Sequence, residues 1–196
     1  MPETEWGSPI EQSSTEKADA IKKRYEKAIL SDPANCLGSY VFLWGQKQER
    51  TPTWYGMFTE KGEKTEAVNV MEFLWTGKWP EQMAPRISDA KIRDKGGRFD
   101  NVRLKENTVY TAIVNVDYSG VWDVAARAEI IPEPVELSDG GDFEQRPESI
   151  GGLIMSVTPE EVVFRSPSQK GAYRLFIYIS DNYSNTGTIN IPFLIP

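Results

Sequence analysis

The sequence predicts two architectures in series: an α/β fragment of helix, strand and helix over residues 1–80, and an all-β sandwich over residues 86–196, joined by a linker at 81–85. Three observations predict it. Apolar residues recur at helical spacing twice before residue 80, on either side of one apolar run. The stretch Trp79-Pro80-Glu81-Gln82-Met83-Ala84-Pro85 then reads as a proline-punctuated boundary. Beyond it the pattern changes to short segments of alternating polarity separated by turn residues.

Ser13 and Glu16 stand at capping-box spacing ahead of Ala18, Ile21, Tyr25, Ala28 and Ile29, and Ser31-Asp32-Pro33 stops that helix. The run Cys36-Leu37-Gly38-Ser39-Tyr40-Val41-Phe42-Leu43-Trp44 is apolar on both faces over its second half. That is how a strand covered on both sides reads, so a central parallel strand is expected over 36–44. A polar loop follows over 45–53, and Trp54-Tyr55-Gly56-Met57-Phe58 leads into the turn Lys61-Gly62-Glu63. The second helix is expected over 65–76, with Ala67, Val70, Met71, Leu74 and Trp75 on one face and Gly77 as its C-cap. One parallel strand between two helices leaves both of its backbone edges unpaired. The first module is therefore expected to be incomplete alone, with self-association or a missing barrel portion supplying the neighbours.

In the second part Tyr110, Ala112, Val114 and Val116 share a face by period two, and Asp117-Tyr118-Ser119-Gly120 turns the chain into 121–124. Further strands read at 87–92, 126–131, 154–157 and 161–165, and the clearest pair is 172–180 with 186–194. Seven or eight short strands at this spacing make a sandwich. Phe176 and Tyr178 face opposite to Tyr173, Leu175, Ile177 and Ile179, which gives an aromatic outer face turned either to the first module or to a glycan. Trp122 reads as a core tryptophan.

The net charge of −7 disfavours a nucleic-acid backbone or an anionic membrane surface, both of which select clustered Lys and Arg. With no histidine, Ser-His and Cys-His catalysis and imidazole metal sites are excluded. The single cysteine, Cys36, cannot form an intramolecular disulfide and is expected to pack as a small thiol. No cofactor and no metal are expected: the oxygen-rich loops 138–144 and 181–185 offer oxygens that calcium could use, but they lack EF-hand spacing and read as turns. No run approaches the ~18 apolar residues of a membrane span, and Pro-Glu-Thr-Glu after Met1 is unlike a signal peptide.

Carboxylates and aromatics are left for chemistry. Five of the six tryptophans lie before residue 80. Trp44, Trp54 and Tyr55 flank the polar loop at the end of the expected strand, where flat rings stack on neutral saccharides. Trp75 and Trp79 are expected to fill the core and the inter-domain contact.

Thr4-Glu5-Trp6-Gly7 together with Gly38-Ser39-Tyr40-Val41-Phe42-Leu43-Trp44-Gly45-Gln46-Lys47-Gln48-Glu49-Arg50 resembles the last two strand ends of TIM-barrel glycoside hydrolases of the clan containing families 2 and 5. The resemblance covers about residues 1–80 and implies that they are the C-terminal end of such a barrel, its last helix-strand-helix. It implies that Trp44 is the floor of a sugar subsite, with Gln46, Lys47 and Glu49 in the loop after it, and makes Glu5 the candidate nucleophile. Only four residues precede Glu5, however, and Thr4-Glu5-Trp6-Gly7-Ser8-Pro9 is closer to a Thr-x-Trp-Gly-x-Pro motif lying outside the strand. The clan's acid/base glutamate ends a fourth strand that this chain lacks, so the chain is not expected to be catalytic by itself.

The run from Gly171-Ala172-Tyr173-Arg174-Leu175-Phe176 to Asn190-Ile191-Pro192-Phe193 resembles the closing hairpin of polycystic-kidney-disease-type and related immunoglobulin-like modules appended to bacterial carbohydrate enzymes. That implies an immunoglobulin-like accessory domain over 86–196 and a periplasmic or extracellular parent. The expected function is the C-terminal region of a carbohydrate-active protein whose partner is a polysaccharide or oligosaccharide. The alternative is a stand-alone carbohydrate-binding or structural, adhesive module using exposed aromatics.

Overall fold

A computed structural model describes residues 2–118, 123–134 and 144–196. In chain order the elements are α1 (Ser14–Tyr25), a π-helical turn (Glu26–Leu30), β1 (Gln46–Glu49), β2 (Thr51–Gly56), β3 (Lys64–Thr65), α2 (Glu66–Thr76), β4 (Arg86–Ile92), β5 (Gly96–Gly97), β6 (Val109–Asp117), β7 (Ala125–Pro132), β8 (Ile154–Val157), β9 (Glu161–Arg165), β10 (Gly171–Ser180) and β11 (Asn185–Ile195). The fold is β-rich.

Both helices begin and end where their residues direct. The Glu16 amide donates to Ser13 Oγ at 3.2 Å and the Ser13 amide to Glu16 Oε2 at 2.7 Å, a reciprocal cap that satisfies two otherwise orphaned donors. Gly77 ends α2 at φ 75°, a left-handed conformation that only glycine adopts without strain, and its N–H bonds to Phe73 O at 2.8 Å. Between these ends α2 buries Ala67, Val68, Val70, Met71 and Leu74 against Ala18 of α1 and against Met57.

Two sheets enclose the main core. One has the order β5-β4-β6-β9-β8 and the other β3-β11-β10-β7. Ile87 and Ile92 of β4, Ala112 and Val114 of β6 and Phe164 of β9 meet Leu175, Ile177 and Ile179 of β10 and Ile189, Ile191 and Phe193 of β11. These side chains follow period two along β6, β10 and β11, and in β4 a register break between Ile87 and Asp89 brings Ile87 onto the same face as Ala90 and Ile92. Each large one contributes on the order of 1.5–3 kcal/mol by leaving water, before the entropy of ordering is charged against it. The strands expected at 87–92, 108–116, 126–131, 154–157, 161–165, 172–180 and 186–194 are all present, with ends within about two residues. Trp122 and the expected strand at 121–124 fall wholly or partly outside the described residues, as does most of the 138–144 loop.

The first module differs from its reading. Residues 36–44 form no strand: the segment runs as irregular chain, and the parallel pairings among the described residues, the two-residue match of β3 with β11 and the Arg103–Leu194 bridge, lie elsewhere. A strand is stabilised by its neighbours; with no partner ladder, this apolar run stays outside any sheet. The expected polar loop at 45–53 is largely a hairpin instead, β1 against β2, with Lys47 opposite Tyr55 and a bulge between Lys47 and Glu49.

The outer face of the four-stranded sheet is covered by the N-terminal segment and α1. Ser14 Oγ accepts from the Thr188 amide at 2.8 Å, Thr15 Oγ1 accepts from the Ile87 amide at 2.9 Å, and Arg98 forms two bonds to Glu16 at 2.8 and 2.9 Å. Phe176 and Tyr178 are buried on that face with Ile131, and Tyr178 lines a cavity of about 420 Å³ with Pro52, Thr59 and Glu60.

The linker passes close over β11. A Cβ on Gly187 would stand 2.4 Å from Pro85 O and 3.1 Å from Ile87 Cγ1, closer than atoms pack. Gly187→Ala is therefore expected to cost about 1–3 kcal/mol in chemical denaturation, the range for overpacking. An unchanged midpoint would mean that residues 85–87 lift off β11 freely.

Candidate functional site

Among the described residues, a group of solvent-facing rings lies where the irregular run enters the β1–β2 hairpin. Gly45 O accepts from the Met57 and Phe58 amides at 3.0 and 3.2 Å, which fixes Trp44 beside Phe58. The two rings meet edge to face, 5.2 Å between centroids at 75°. Trp75, from the last turn of α2, lies 6.2 Å from Trp44 at an interplanar angle of 31°. Phe42 meets Tyr55 edge to face at 5.6 Å. Phe42 is 87% exposed, Trp44 56%, Trp75 48% and Tyr55 38%, so these rings form a surface and not a core.

The sequence-derived site residues divide. Trp44 and Tyr55 belong to this surface. Trp54 is half-buried and lines a cavity of about 910 Å³ with Ile21, Tyr25, Val41 and Met57. Gln46, Lys47 and Glu49 are half-buried and already engaged: Gln46 Nε2 donates to Pro52 O at 3.0 Å, and Lys47 Nζ to Glu49 Oε2 at 2.7 Å. They hold the hairpin that presents Tyr55. Glu144 braces the same hairpin, accepting from Gln48 Nε2 at 3.1 Å and from the Arg50 amide at 2.8 Å.

Glu5 sits apart, against the 101–103 segment. Its carboxylate accepts from Arg103 Nη2 at 2.7 Å, its amide donates to Asn101 Oδ1 at 2.8 Å, and its side chain is exposed. The turn around it is closed by the Glu3–Pro9 bridge and by the Thr4 amide on Ser8 O at 2.9 Å. An exposed glutamate paired with an arginine has the setting of a surface ion pair, and a glycosidase nucleophile needs a second carboxyl across the bond it cleaves.

Trp75 and Trp79 correct the sequence reading, which assigned them to packing. Both are about half exposed. Trp79 stacks on Phe73 at 4.3 Å with Lys22 Nζ 5.7 Å from its ring. The buried face of α2 ends at Leu74, and Trp75, about 100° further round, falls at its rim. Its distance from Trp44, which depends on how residues 37–45 return to α2, carries no local sequence signal.

Four perturbed ionisable groups, Glu11, Glu66, Glu133 and Tyr178, lie away from the exposed rings. Burial pushes the Glu11 carboxyl up, but the Lys17 ammonium, the Thr51 hydroxyl and the Arg174 guanidinium together hold it below the usual carboxylate range. Burial raises Glu133 despite Arg174, and raises Glu66 to about 7 despite Arg86. The Tyr178 hydroxyl is pushed far up by burial and by Glu129. No group of three metal-ligating side chains occurs among the described residues. In the 181–185 turn Asp181 accepts from the Tyr183 and Asn185 amides, both at 2.8 Å, which is turn chemistry. No helix is long and apolar enough to cross a membrane among the described residues.

The fold and site define a β-rich protein with a solvent-facing aromatic surface. Comparison with known proteins finds no family model and no curated protein that matches the chain.

Proposed function

We propose that the chain is the C-terminal region of a glycoside-hydrolase-like, carbohydrate-active protein, and that its own part is to hold saccharide on the rings of Phe42, Trp44, Tyr55 and Trp75. In this reading residues 1–80 are the C-terminal end of a (β/α) barrel, residues 86–196 are an immunoglobulin-like accessory sandwich, and the parent works in the periplasm or outside the cell. The observation that carries it is the exposure of Trp44 and Trp75 with centroids 6.2 Å apart. Flat apolar faces turned to water beside the polar hairpin Gln46–Glu49 suit sugar rings, which present C–H faces and hydroxyl edges. The barrel assignment draws support from the run 37–44: among the described residues, no backbone–backbone hydrogen bond reaches its N–H or C=O groups.

Affinity electrophoresis against a panel of soluble polysaccharides tests the binding. Retardation is expected with at least one, and Trp44→Ala or Trp75→Ala is expected to weaken it about thirtyfold, the loss of about 2 kcal/mol typical of an aromatic anchor. Absence of retardation across a broad panel would overturn the reading. The chain is expected to be hydrolytically silent on aryl β-glycosides and glucans; efficient turnover abolished by Glu5→Gln would overturn that part.

A further inference from the structure

We infer that the cavity of about 420 Å³ beside β7 and β10 is a subsite for a carboxylate, carried by an acidic sugar or by a small organic acid, and that the Glu60 side chain holds that carboxylate's place. Arg127 and Glu129 share a face of β7 by period two, and Arg127 lies opposite Tyr178 of β10. The 59–63 turn is closed by the Thr59 amide on Glu63 O and the Gly62 amide on Thr59 O, both at 2.9 Å. Glu63 fixes that turn to the sheet by taking both Arg127 terminal nitrogens at 2.6 Å, which brings Glu60 and Lys61 to the cavity. The Ile150 amide on Ile130 O at 2.9 Å fastens the 144–150 segment to β7, and Arg146 and Ser149 reach the cavity from it.

The acceptors here are engaged and several donors are not. Glu129 takes Arg146 Nη2 on both oxygens at 2.8 Å and Tyr178 Oη at 3.0 Å, while Glu63 is filled by Arg127, Thr59 and Ser180. Arg146 Nε, by contrast, is buried with no hydrogen-bond partner: Glu60 Oε2 stands 3.2 Å away, near enough for an ion pair but out of line for a hydrogen bond. The side chains of Lys61 and Ser149 enter no hydrogen bond or ion pair among the described residues. Buried donors are rarely left without an acceptor, so this one calls for an acceptor from outside the chain. Charge gives its kind. Without Glu60 the site holds the cations Lys61, Arg127 and Arg146 against the carboxylates Glu63 and Glu129, one negative charge short. Glu60 supplies that charge loosely, from a side chain 50% exposed. A ligand carboxylate aligned on Arg146 Nε, with Lys61 and Ser149 as further donors, makes the charge-assisted bonds that Glu60 does not. Glu60 then turns to water at the loss of a weak, half-exposed pair. The volume lies within the ~300–1,000 Å³ usual for small-molecule sites. The inference does not rest on saccharide binding at the rings of Trp44 and Trp75.

Heteronuclear NMR on the whole chain, titrated at constant ionic strength with sodium D-glucuronate, sodium lactate and D-glucose, tests it. Saturable shifts of the arginine Nε–H signals and of the 59–61 and 148–149 amides are expected with one or both acids, at a dissociation constant on the order of 1 mM. Glucuronate binding the tighter would assign the site to an acidic sugar, lactate to an organic acid. Glu60→Gln removes the internal competitor and should tighten binding at least about fivefold, whereas Lys61→Met should weaken it about fivefold. Ser149→Trp, which fills the cavity from an exposed position, should abolish it, and Trp44→Ala should leave it unchanged. Residues 60, 61 and 149 are all exposed, so these variants keep the fold. No saturable shift with either acid up to about 50 mM, an equal response to glucose, or weaker binding in Glu60→Gln overturns the inference. Loss of the response in Trp44→Ala would put the acid on the ring surface and overturns it too, and the polysaccharide result stands or falls separately.

Discussion

Replacing Arg174 with methionine is expected to destabilise the protein by about 3–5 kcal/mol at neutral pH, the loss typical of removing one partner from a buried ionic group. Arg174 is among the largest fully buried side chains. Its Nη1 donates to Asn190 Oδ1 at 2.9 Å, its Nη2 to Pro9 O at 2.5 Å, and its Nε faces Glu133 Oε1 at 2.7 Å. Asn190 Nδ2 in turn donates to Glu11 Oε2 at 2.6 Å, and Glu11 also binds Lys17 and Thr51. One cation thus joins the N-terminal segment to β7, β10 and β11. Methionine fills much of the volume but leaves the largely buried Glu133 without its counterion and the buried Glu11 with one cation fewer. Thermal unfolding should fall by on the order of 10 °C for a chain of this length. The loss should shrink at acidic pH, where Glu133 and Glu11 can take up protons, and Arg174→Met combined with Glu133→Gln should recover part of it. A loss under about 1 kcal/mol would mean that this network does not hold the segment to the sheet.

Why the sequence yields some of this fold and not the rest follows from where each element's stability resides. The Ser13–Glu16 cap, the Gly77 stop and the alternation along β6, β10 and β11 are local signals, and the structure keeps each of them. The run 36–44 carries an equally strong strand pattern, yet a ladder is a property of two segments, and pattern alone does not supply the second. The β1–β2 hairpin lies at the other extreme. Gln46-Lys47-Gln48-Glu49 has no apolar alternation, all four residues are half-buried, and the turn uses Arg50 at φ 63°, where a glycine or asparagine would be looked for.

The contact between the two parts was legible only as an oddity. Arg174 and Asn190 are polar residues in the middle of strands whose flanking residues Tyr173, Leu175, Ile189 and Ile191 are apolar, which marks a second covering layer without saying what it is. The candidate surface was half legible for a related reason. Trp44 and Tyr55 stand beside the hairpin in sequence, whereas Trp75 joins them through a tertiary approach of 6.2 Å.

Stability is expected to fall, not rise, as pH increases from about 4.5 to about 7, and Glu66→Gln should flatten that slope. Glu66 opens α2 with its carboxyl fully buried. Burial raises its pKa to about 7, against Arg86 of β4, which binds it directly, and Thr15 of α1; Asp19 of α1 and Asp117 of β6 add to the rise. Arg86 cannot serve it alone, because its other nitrogen bonds both Asp19 oxygens at 3.1 and 3.0 Å. Between its ordinary value of 4.5 and about 7 the unfolded chain has released this proton and the folded chain still holds it. The unfolded state therefore binds fewer protons, and the free energy of unfolding declines across that window by up to about 3 kcal/mol. Glu133, also raised by burial, contributes in the same direction. Glu11, Glu16 and Glu63, held below their ordinary values by Lys17, Arg98 and Arg127, have the opposite sign: their stabilisation is complete above 4.5 and disappears below it. Opposed slopes on either side of about 4.5 put the stability maximum well on the acidic side of neutrality, near that pH. Urea denaturation at half-unit pH steps measures both limbs. A glutamine at position 66 keeps an oxygen for Arg86 and has no proton to release, so only the limb above pH 4.5 should level; equal slopes in the two proteins would mean that Arg86 already holds Glu66 ionised.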